Sequence, residues 1–132
     1  MKVDIRSLQE HSLAVGSSGS RTVTIDRSTE AGGLGLGFNG GELLLLAIGG
    51  CFSNDLYREA PKFGVQISSV HIEVSCEWGG EPLRAQSVTL CTHVKSDAPA
   101  TTIRELIAHA SSVAEIPNSL RLGTEVRIVD KQ

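Results

Sequence analysis

Leu43-Leu44-Leu45-Leu46 is the stretch that most limits how this chain can fold. Successive residues of a helix point about 100° apart, so four leucines in a row cannot share one face. The surrounding run from Asn39 to Phe52 carries a single charge, Glu42, which stands three residues after Asn39 as in a capping box. Continued through Asp55-Leu56-Tyr57-Arg58-Glu59, the helix must stop near Ala60, because Pro61 disfavours helix at the residue before it. A helix apolar on every side is expected to be buried nearly all round. Gly49 and Gly50 interrupt it at a cost of about 1 kcal/mol each relative to alanine. Such a pair suits a close approach by another element, or space beside the next residue, Cys51.

With 132 residues, 40% of them hydrophobic and 20% charged, the chain reads as one globular domain. A net charge of −3 without a basic run, with one Trp, one Tyr and three Phe, leaves nucleic-acid binding unsupported. The apolar run Leu43–Ile48 falls far short of the roughly 20 residues that span a bilayer, so no membrane role is expected. The N-terminus shows no signal-peptide core. Three cysteines without close spacing point away from a disulfide framework and towards a reducing cytoplasm.

In chain order, Val3-Asp4-Ile5 alternates briefly, and Leu13 and Val15 fit a short strand before the turn-rich Gly16–Ser20. Arg21–Asp26 alternates with β-branched residues and reads as a strand. The glycine-rich loop Ala31–Asn39 lacks the Gly-Lys-Ser/Thr ending of a phosphate loop. It is expected to lay Leu34, Leu36 and Phe38 over the start of the long helix. Val65–Trp78 reads as extended, with Val70, Ile72, Val74, Cys76 and Trp78 alternating with polar residues; Gly79-Gly80 turns and Gln86–Val94 returns, which predicts an antiparallel hairpin. A second helix is expected from Asp97–Thr102, with a Thr102-x-x-Glu105 capping box, to Pro117. Thr124–Val129 reads as a last strand.

Cys51 admits two readings: a buried cysteine packing as a small hydrophobe, or a reactive thiol. Asp55, four residues on, would raise its pKa, whereas Arg58, seven on, would favour the thiolate. Cys76 falls in phase with the inner face of the hairpin and Cys91 out of phase, so a bond between them is not expected. Cys91 has no positive support as a substitute redox partner. His11, His71, His93 and His109 share no ligand spacing, so neither a metal site nor a cofactor is expected. His71 and His93 can stand opposite each other on the hairpin's polar face.

The order Gly-Gly-x-Gly from Gly32, Asn39-x-x-Glu-Leu, Leu-Leu-Ala-x-Gly-Gly-Cys ending at Cys51, a hairpin and a second helix resembles the OsmC/Ohr family, the osmotically inducible and organic hydroperoxide resistance proteins. The resemblance runs from about Gly16 onward and is strongest over Gly32–Phe52. It implies an α+β fold with antiparallel sheets packed on two central helices, an intertwined homodimer, and active sites at the subunit interface. It also implies reduction of organic hydroperoxides by Cys51, with Arg21 as the nearest basic partner and Leu36, Phe38 and Ile48 as apolar lining for the substrate.

The chain departs from that family where it matters for turnover. The family's resolving cysteine would fall in Val113-Ala114-Glu115-Ile116-Pro117-Asn118, which contains none. The family's glutamate position, two after the asparagine, is Gly41, and its arginine aligns near Ser18. The expectation is therefore a stress protein whose single Cys51 is regenerated by an external thiol. The alternative is a degenerate member that binds a small apolar ligand as a dimer.

Overall fold

The structure, a computed structural model, describes residues 1–8 and 10–130. It divides into two compact units, one from Met1 to Leu44 and one beginning at Leu45. In the first, β1 (Asp4–Ser7), β2 (Ala14–Ser18) and β3 (Arg21–Ile25) form an antiparallel sheet in sequence order. Ser18 pairs with Arg21 across a two-residue turn in which Gly19 takes φ +60°, a conformation glycine adopts without strain.

The glycine-rich loop does not lie where the sequence suggests. Its backbone is bonded to β3: the Phe38 N–H donates to the Thr24 carbonyl at 3.1 Å and the Gly35 N–H to that of Arg27 at 3.1 Å. A side chain would prevent this approach, since a Cβ on Gly33 would stand 2.1 Å from the Arg27 oxygen and one on Gly37 2.6 Å from that of Thr24. Leu34, Leu36 and Phe38 are consequently left exposed. The loop is anchored by Asp26, 2% exposed. Its carboxylate accepts from the Ser12 hydroxyl (2.7 Å) and from the backbone N–H groups of Arg27 (2.8 Å), Leu34 (3.0 Å) and Leu36 (3.2 Å). The Ser12 bond first, and then the backbone donors, hold this carboxyl below its ordinary pKa against the opposing effect of burial.

Helix α1 covers Gly40–Glu59, and the capping box is formed in both directions. The Glu42 N–H donates to Asn39 Oδ1 at 3.0 Å, and the Asn39 N–H to Glu42 Oε2 at 2.8 Å. Glu42 is thus spent on the cap. A short 3₁₀ turn, Ala60–Phe63, follows at Pro61 as expected.

In the second unit β4 (Ser69–Gly79) and β5 (Arg84–Lys95) form the predicted hairpin, with His71 opposite His93. A register shift between Glu77 and Trp78 leaves Gln86 of β5 without an opposite residue, and Trp78 beside it is half exposed. The core gathers Phe52, Leu56 and Ala60 with Val94 of β5 and with Leu106, Ala110 and Ala114. Gly49 meets this hairpin closely, since a Cβ there would lie 2.8 Å from Val74 Cγ2.

Three expectations require correction. Buried positions of α1 are Ile48, Gly49, Phe52, Asp55, Leu56 and Glu59, one face of the helix. The opposite stripe, Leu46, Gly50, Asn54 and Tyr57, is exposed in the single chain, with Leu46 at 54%. The second helix is two: α2 (Ala100–Val113) begins after Pro99 without a side-chain cap, and α3 (Glu115–Arg121) follows an extended Ala114. Pro117 sits in the first turn of α3, where its missing N–H leaves no bond unmade, so it opens a helix instead of closing one. The expected strand at Thr124–Val129 is absent, and Ile128 is 98% exposed. A strand needs a neighbour to bond, and none is offered to this segment among the described residues.

Asp26→Ala removes the anchor without touching the sheet. Hydrogen exchange should show the Leu34 and Leu36 amides losing protection by more than about tenfold, the worth of a hydrogen bond to a charged acceptor, while β2 amides are little changed.

Candidate active site

Helical spacing puts Cys51 and Arg58 on the border between the buried and exposed faces of α1, with Asp55 beside them on the buried side. Cys51 is half-buried, and all three cysteines are free thiols. The Cys51 Sγ stands 3.7 Å from Asp55 Oδ2 and 3.7 Å from Glu115 Oε2. It has one proton to donate and two carboxylates to receive it.

Arg58 does not face the sulfur as a free cation. Its guanidinium binds Asp55 at 2.9 Å, Glu59 at 3.0 Å and Glu115 at 3.3 Å. Asp55 and Glu59 are 2% and 3% exposed, so their charges require such a partner. Glu59 also receives Lys62 and, at 2.8 Å, His109 Nε2, which ties α2 to α1.

Burial is the largest influence on the Cys51 thiol and pushes its pKa up. The Ile116 backbone N–H opposes this, and the charges of Asp55 and Glu115 reinforce it. The competition posed by the sequence between Asp55 and Arg58 therefore goes to the carboxylates. Glu115 is held below its ordinary pKa, first by its own backbone N–H and then by Arg58, so it is ionised at neutral pH. Ile116 lies in the segment where the resemblance puts a resolving cysteine, and the segment does reach Cys51.

The other predicted residues fall as follows. Arg21 opens β3 in the first unit, at the rim of an apolar groove of about 330 Å³ lined by Val3, Ile5, Val23, Ile25 and Leu43. Leu36 and Phe38 are on the loop of that unit, and Ile48 is buried in the second at 2% exposed. Sequence reasoning missed Glu115, which is 64 positions from Cys51 and carries no local signal. Among the described residues, Cys51, Asp55 and Glu115 are the group whose donor atoms, all within 4.8 Å of one another, could hold a metal ion. It contains no histidine, and both carboxylates already bind Arg58. Among those residues no helix is long and apolar enough to cross a membrane.

The profile of OsmC-like proteins matches residues 32–129. The chain belongs to the OsmC-like family. No curated protein matches it. An OsmC-like protein from Mycoplasma pneumoniae superposes with a TM-score of 0.81 at 20% identity, covering 93% of this chain and 87% of the other. An organic hydroperoxide resistance protein OsmC from Legionella pneumophila gives 0.71 at 17% identity, over 92% of this chain and 90% of that one. A candidate organic hydroperoxide resistance protein from Vibrio cholerae, with captopril bound in one of its active sites, gives 0.72 at 19%, over 94% and 86%. At these identities the likeness establishes the OsmC-like α+β fold.

The Glu59 carboxyl is held down to about 2 from an ordinary 4.5, by Lys62 first, then Arg58 and His109. A depressed folded-state pKa gives stability that is complete above 4.5 and lost as pH falls through about 2. Glu59→Gln should lower Tm at neutral pH and flatten its decline over that acid range, as thermal unfolding followed across pH would show.

Proposed function

We propose that this OsmC-like protein is a one-cysteine reductase of organic hydroperoxides, with Cys51 as the attacking sulfur and an external thiol as reductant. The observation that carries the reading is the setting of the family-position cysteine. Cys51 is half-exposed, and the Ile116 N–H favours the thiolate against the burial and carboxylates that disfavour it. In the proposed step the thiol first loses its proton to solvent, and the sulfur attacks one oxygen of ROOH. The O–O bond breaks, the leaving alkoxide takes a proton to become ROH, and Cys51 becomes a sulfenic acid. One external thiol then displaces water to form a mixed disulfide, and a second releases the free Cys51 and a disulfide of the reductant. With the resting sulfur protonated, the rate should climb as pH rises above neutrality. Arg21 remains proposed as the basic partner of Cys51, and Leu36, Phe38 and Ile48 as the apolar residues that face the substrate.

A homodimer is part of this reading. It is supported by the exposed apolar stripe of α1, which has Cys51 at its border, and by the exposed tail after Gly123. A second reading, a dimeric binding protein for a small apolar ligand, is favoured by the groove above β3 with Arg21 at its rim.

Two experiments separate these. Peroxide consumption driven by a small dithiol should disappear in Cys51→Ser and persist in Cys91→Ser; equal turnover in Cys51→Ser would end the enzymatic reading. Leu46→Glu should convert a dimer to monomer in sedimentation velocity, and an unchanged sedimentation coefficient would remove α1 from the interface.

A further inference from the structure

The surroundings of Cys51 carry more than the reaction type. We infer that Glu115 is the specificity-determining residue of this site: its carboxylate, held beside the sulfur, restrains thiolate formation and turns away anionic reactants. The class left is neutral alkyl hydroperoxides, with neutral or cationic thiols as reductant. This rests on the reading of Cys51 as the reacting sulfur.

The argument begins from charge and position. Facing the sulfur are Asp55 from α1, Glu115 from α3 and the Ile116 backbone N–H, with Arg58 bonded to both carboxylates. Two anions stand at 3.7 Å, while the one cation is bonded to both of them and to Glu59 as well. Arg58 therefore cannot turn to a thiolate without leaving a carboxylate unpaired, and Asp55 and Glu59 are buried carboxylates that tolerate this poorly. Any negative charge formed on the sulfur, or brought to it, meets a net negative surround.

The two carboxylates do different jobs. The Asp55 side chain is 3% exposed and fixed on the same helix as the sulfur. The Glu115 side chain is 66% exposed and comes from another helix, so it is the charge a reactant arriving from solvent encounters. Holding Arg58 at 3.3 Å keeps Glu115 ionised over the thiol instead of turned into solvent. Glu115 acts on the reactant's charge and on the sulfur's protonation; it makes and breaks no bond.

Alkylation of Cys51 reads both effects without relying on peroxide turnover. Neutral iodoacetamide and anionic iodoacetate are compared across pH, with labelling followed on the Cys51-containing peptide so that Cys76 and Cys91 do not contribute. Wild type should prefer iodoacetamide more strongly than a free small thiol does. Glu115→Gln should reduce that excess by roughly three- to tenfold, as expected for one partly solvated charge, and move the pH midpoint of labelling down. Glu115→Asp should keep most of both. In unaltered protein, raising the salt concentration should shrink the same preference. A folded Glu115→Gln protein with wild-type midpoint and selectivity, or a wild-type selectivity equal to that of a free thiol, overturns the proposal. Loss of the peroxidase reading would appear separately, as turnover indifferent to Cys51→Ser while the alkylation effects persist.

Discussion

One guanidinium shared by three carboxylates governs the chemistry of this unit. Arg58 binds Asp55 and Glu59 on its own helix and Glu115 on α3. Two of these acids are buried, where an unpaired charge is strongly destabilising. Lysine has a single ammonium on a flexible stem and could not reach three carboxylates with a fixed fork of donors. Glu59 draws in His109 and Lys62, so the same cluster joins α1 to α2 as well as to α3. This arrangement brings Glu115 and Ile116 of α3 to the Cys51 sulfur.

That arrangement sets stability against reactivity. A thiolate is best served by a cation at its side, and Arg58, on the same helix, is engaged in neutralising buried acids. What remains in its favour is a single backbone N–H, from Ile116. A thiol so placed is held in its protonated form by burial and by the two carboxylates. On the proposed mechanism a sulfenic acid at Cys51 waits for an external thiol, and a restrained sulfur is less exposed to further oxidation than a fully ionised one.

Local patterns were legible in the sequence and distant pairings were not. The Asn39–Glu42 cap, the stop at Pro61 and the register of the hairpin, with His71 facing His93, rest on neighbours in sequence or on strict alternation. Asp55 and Arg58 were visible as rivals for Cys51 because they share its helix stripe. Glu115 was not, because its place depends on the break at Ala114, and a proline in the first turn of a helix looks like one that ends the preceding helix. Asp26 likewise resembles any aspartate at a strand end. A strand followed within a few residues by a glycine-rich loop was the available signal that a backbone would need anchoring there.

The failures of burial share one character. A helix apolar on all sides buries one face and exposes Leu46, Gly50 and Tyr57 on the other. A segment with the alternation of a strand, Thr124–Val129, has no partner strand among the described residues. An apolar groove lies open on the three-stranded sheet. Exposed apolar surface of this kind is what the proposed homodimer would cover. Propensity and patterning describe the surface a residue needs, not which molecule supplies it. A mismatch between predicted and observed burial is therefore informative about assembly in a way that agreement is not. Because Cys51 sits at the border of the exposed stripe, whatever covers that stripe also shapes access to the sulfur, so assembly and reactivity are one question in this fold.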